Sequence, residues 1–109
     1  MIKHFYSYHV EIDSLIIEIE SFPIKDHEKK HLIQLAESQI YHTIIDSVLS
    51  ELNSEDKKAF LEHLNSKNHE RIWNFLRSKV KDVEGKINEA AIAVKKELYK
   101  DIRELRVEK

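Results

Sequence analysis

The residues with the most recognisable chemistry are His27-Glu28-Lys29-Lys30-His31, which satisfy the His-Glu-x-x-His pattern of zinc peptidases. On a helix, His27 and His31 fall one turn apart on the same face. Two such imidazoles can bind Zn²⁺, and the intervening Glu28 can deprotonate a metal-bound water. The surrounding residues argue against that use. Lys29 and Lys30 oppose a bound cation, while Gln34 and Glu37 stand where the extended pattern needs a glycine and a third histidine. His27 and His31 therefore define an alternative reading, a metal-binding or pH-responsive protein. Seven histidines in the chain suit the latter, since imidazole titrates near neutrality.

Other chemistry finds less support. Nucleophilic catalysis lacks a cysteine or a glycine-flanked serine, and Gly85 alone cannot build a phosphate-cradling loop. No cofactor, catalytic residue or small-molecule substrate is expected, so the sequence reads as a non-enzyme. Phe5, Tyr6 and Tyr8, with His4 and His9, are expected to pack a core or an interface. Lys95, Lys96, Lys100, Arg103, Arg106 and Lys109 could address nucleic acid, giving a further alternative of a nucleic-acid- or ribosome-associated factor. Glu97, Asp101, Glu104 and Glu108 interleave with them, which disfavours an unbroken basic stripe.

The elements that must position these residues are helical. One glycine and one proline in 109 residues leave little room for β-turns, and 41% apolar residues suffice for one core. Apolar periodicity predicts helices over 5–22, 26–52, 55–64, 69–81 and 83–107, the last two being separate or continuous. Pro23 closes the first, and Asn53, Asn68 and Asp82 offer N-caps. Along the second helix, Leu32, Ile33, Ala36 and Ile40 form one stripe, and Tyr41, Ile44, Ile45, Val48, Leu49 and Leu52 another. Ser38 marks the junction, where the helix bends or changes partner. The expected fold is all-α: a compact up-and-down bundle of four to five helices with long second and last helices.

The last helix carries the cleanest stripe, with Val83, Ile87, Ala91, Val94, Leu98, Ile102 and Leu105 on one side. It is longer than the helices expected to cover it. That excess predicts a non-enzymatic protein-protein interaction or self-association module, a homodimer, with Tyr6, Tyr8, Leu98, Ile102 and Leu105 at the interface. Charge points the same way. Residues 1–66 hold 6 Lys/Arg against 12 Asp/Glu, and residues 67–109 hold 12 against 8, so the halves attract. No run long and apolar enough to span a bilayer and no secretion signal are visible, so a cytoplasmic location without membrane contact is expected.

Glu28 to Ser38, His42 to Leu49, and Glu55 to Leu64, continuing through His69-Glu-Arg-Ile-Trp, resemble small uncharacterised all-helical proteins of candidate-phyla bacteria with reduced genomes. The resemblance implies a cytoplasmic bacterial protein and carries over no activity or functional residue.

Overall fold

A computed structural model of the chain describes residues 4–107, with side chains described as far as Glu104. It contains α1 (Asp13–Glu20), α2 (Asp26–Leu49), α3 (Ser54–Ser66), α4 (His69–Lys79) and α5 (Val83–Val107). The fold is all-α, with no strand among the described residues, and α2 and α5 are the longest helices. No described helix is long and apolar enough to cross a membrane.

The polar breaks stop and start the helices as their chemistry requires. Asn53 caps α3 by accepting a hydrogen bond from the Asp56 amide at 2.8 Å. Asn68 does the same for α4 through the Arg71 amide at 3.1 Å. Asp82 accepts from the Gly85 amide at 3.3 Å, so α4 and α5 are separate helices. Each cap satisfies an amide that the first helical turn leaves orphaned. α2 runs unbroken through Ser38, and it is the change of packing partner that shifts its stripe. It packs against α1 and α5, while Tyr41 meets His4 and Tyr6.

The first predicted helix is the main departure. Residues 5–10 form tight turns rather than helix. A helix through this stretch would have the Phe5 carbonyl accept from His9. Instead that carbonyl accepts from Trp73 Nε1 at 2.8 Å, and the His9 amide turns to the Tyr6 carbonyl. Glu11 then starts α1 afresh, its carboxylate accepting from the Ser14 amide at 2.7 Å and the Ser14 hydroxyl at 3.1 Å. Those bonds are the main reason its carboxyl is held below the usual range.

Two bodies of packing meet along α2 and α5. At one end α1 lies against both long helices, with Leu15 and Ile19 buried. At the other, α3 and α4 form a hairpin, and Phe5 seats edge-on against Phe60 and Trp73. Phe60, Ile44, Leu76 and Ile87 have no exposed surface. A single cluster of buried side chains runs the length of the molecule, which is elongated at 48 × 22 × 21 Å. Surface pairs Lys86–Glu51 at 2.6 Å and Arg77–Glu84 at 2.8 Å tie the helix ends. Exposed pairs of this kind contribute about 0–1 kcal/mol each, so apolar burial holds the fold together.

Candidate functional site

His27 and His31 both lie exposed in the first two turns of α2. No group of three or more metal-ligating side chains exists among the described residues. Among the described residues the pair has no third protein ligand within reach, and a catalytic zinc centre needs one.

The N-terminal turns make a more structured feature. His4 stacks on Tyr6 at 5.1 Å between ring centroids and tilts against Tyr41 at 4.7 Å. A cleft of about 440 Å³ opens between residues 4–13 and α2, with Glu37 and Ile40 on its far wall. Burial holds the His4 imidazole below its ordinary pKa; His69 acts in the same direction and Glu37 against it. Burial pushes the Tyr6 phenol well up, helped by Tyr41 and Glu37. The three rings pack on one another beside this cleft, so the cluster joins the N-terminal segment to α2. Tyr6, an expected interface residue, is 4% exposed and belongs to this core. Tyr8 is 79% exposed.

Two more of the expected interface residues are buried within the single chain. Leu98 and Ile102 are 8% and 6% exposed in the single chain, covered by α1 and α2. The inner stripe of α5 is thus occupied within the chain as far as Ile102. The side chain of Leu105 lies outside the described residues. By their predicted lengths the first, third and fourth helices are too short to cover all of the last helix. α1 is shorter still, but it lies alongside the far end of α5, where cover is needed.

Large apolar side chains stay exposed on several elements: Tyr8, Ile17, Leu35, Leu61 and Ile92. Ile17 on α1 is 65% exposed and Ile92 on α5 is 62% exposed. Around Ile17, at helical neighbour spacing, stand Asp13, Ser14 and Glu20, all exposed. Ile92, Lys95, Lys96, Tyr99, Lys100 and Arg103 line one shallow depression together with Glu97 and Glu104. The charges that alternate along the sequence separate in space. At 100° per residue, Lys96, Lys100 and Arg103 share one edge with Ile92, whereas Glu97, Asp101 and Glu104 project from another. Sequence order hid this segregation, and a helical projection of residues 89–104 reveals it.

α1 and α5 are bound side by side across this face. Lys95 Nζ donates to the Glu11 carbonyl at 2.6 Å, and Arg103 lies 3.9 Å from Glu18 and over the Tyr99 ring. Burial chiefly, then Glu11 and Glu18, pushes the Tyr99 phenol up from its ordinary value. The arrangement offers no nucleophile beside a base and no enclosed cavity. It offers a surface: two exposed apolar residues on adjoining helices, each with charged neighbours.

No protein-family model, curated protein or solved structure matches this chain.

Proposed function

We propose that this protein is a non-enzymatic helical interaction module that self-associates through the outward face shared by α1 and α5. The observation that carries the reading is the pair Ile17 and Ile92, both more than half exposed on helices whose inward stripes are already filled. Isolated exposed apolar residues are ordinary. Two of them on adjoining helices, with charged residues of both signs around Ile92, have the composition of a contact surface with a polar rim. The reading keeps the last helix as the place of association and moves the contact from its inner stripe to its outer edge. A metal reading would rest on His27 and His31 without a third ligand. A nucleic-acid reading would rest on a short basic edge with acids close beside it. We take the protein to be cytoplasmic, on its lack of cysteine and its resemblance to bacterial proteins of that kind.

Size-exclusion chromatography with light scattering, at several loading concentrations, tests the reading. The mass should rise from 13.0 kDa toward twice that value as concentration increases. A constant 13.0 kDa at every concentration overturns it.

A further inference from the structure

We infer that the cleft between residues 4–13 and α2 binds a small amine, its ammonium group held by Glu37 and the Tyr6 hydroxyl. The site does not depend on self-association. Its mark is a hydroxyl that the fold leaves unused. Tyr6 is 4% exposed and lines the cleft, yet its phenol oxygen makes no hydrogen bond among the described residues. No sealed side-chain oxygen or nitrogen lacks a partner among those residues, so this oxygen reaches the open cleft rather than a closed core. Phenylalanine would fill the same core volume without a polar atom to desolvate. Glu37 stands on the opposite wall. Beyond burial and Tyr41, its carboxylate adds to the raising of the Tyr6 phenol, and beyond burial it opposes the lowering of the His4 imidazole. It therefore lies close to both, and it makes no ion pair or hydrogen bond among the described residues. A free donor and a free carboxylate thus face one space.

The charge of the lining selects the ligand. The cleft holds the carboxylates of Glu11, Asp13 and Glu37 and no Lys or Arg. Glu11 is engaged by Ser14 and lies 3.9 Å from Lys95, whereas Asp13 and Glu37 have no ion pair among the described residues. That balance repels an anion and attracts an ammonium group, which also gains from the faces of the tyrosine rings. Lys30 belongs to an adjoining depression that shares His4 and Glu37, and there it opposes a cation. Ile12 and Ile40 give the cleft an apolar wall, suited to the body of the ligand. Its volume of about 440 Å³ falls within the range of small-ligand sites, roughly 300–1,000 Å³. One aromatic ring on a short amine chain matches these features.

Phenethylamine is the probe, titrated calorimetrically into the full-length chain near neutral pH. Saturable binding of one probe per chain is expected, and phenethyl alcohol, the uncharged analogue, should give none. Circular dichroism confirms that each variant is folded. Glu37→Gln should weaken binding about tenfold, the loss of one charge-assisted contact. Tyr6→Phe should weaken it roughly fivefold while the urea midpoint stays unchanged or rises, which a purely structural hydroxyl would not allow. Lys30→Gln should tighten binding. No saturation in the wild type at millimolar probe overturns the site, as does equal affinity for phenethyl alcohol or wild-type affinity in Glu37→Gln. A Tyr6→Phe chain with a lower midpoint and unchanged affinity overturns it too, by assigning the hydroxyl to the fold.

Discussion

His4 sits against two tyrosine rings, half-buried, with its amide donating to the Ser7 hydroxyl at 2.8 Å. Its imidazole is held below the ordinary value of 6.5, chiefly by burial. A fold that prefers the neutral ring is fully favoured above that unfolded-state pKa. The advantage is lost as pH falls through 6.5 toward the lower folded value. His4→Gln removes the titration. Urea unfolding at pH 7.5 and pH 5.5 should show wild type losing more stability on acidification than the variant, by a modest margin because the ring is only partly covered. Equal losses would show that His4 is not coupled to folding. The same residue scale explains what the sequence concealed. That Phe5 would be held by Trp73, 68 positions away, is not written in the local pattern of residues 5–22. That pattern fits a helix better than turns until the distant indole claims a carbonyl.

Helix boundaries were far more legible. Pro23, Asn53, Asn68 and Asp82 act locally, through a forbidden backbone region or a short capping side chain, so their effect can be read without a partner. One end carries a residue ill-suited to its place. Lys67 closes α3 in the left-handed region at φ 58°, where Asn or Gly is usual and a Cβ is penalised. Its side chain is exposed and makes no ion pair among the described residues. Lys67→Gly should therefore raise stability by about 0.5–1 kcal/mol, read as a higher urea midpoint with unchanged slope. A lower midpoint would mean that the lysine side chain makes a contribution larger than its backbone strain. The faces of the helices were only half legible. Periodicity identified Leu98 and Ile102 as apolar positions, but which neighbour covers them depends on tertiary placement. Ile17 and Ile92 stand out only once that cover is known.

At the scale of the whole molecule, the all-helical class was legible in composition and apolar periodicity together, since one glycine and one proline leave little room for a sheet's turns. Elongation did not follow, because it arises from stacking the α1 end and the α3–α4 hairpin at opposite ends of two long helices. One consequence concerns the order in which the parts become available during synthesis. α5 supplies Val83, Ile87, Ala91, Val94, Leu98 and Ile102 to a core whose other walls all precede it in the chain. Those walls must wait, with Leu15, Ile19, Ile40 and Ile44 uncovered, until this helix is made. Its 25 residues take roughly 1–5 s at ordinary elongation rates. A chain ending at Val80 should accordingly unfold without a cooperative urea transition and bind a hydrophobic dye, whereas the full chain unfolds in one step. A cooperative transition in the shortened chain would mean that α1 to α4 close a core unaided. Otherwise the nascent chain carries uncovered apolar surface for that interval, and the last helix is the element that closes it.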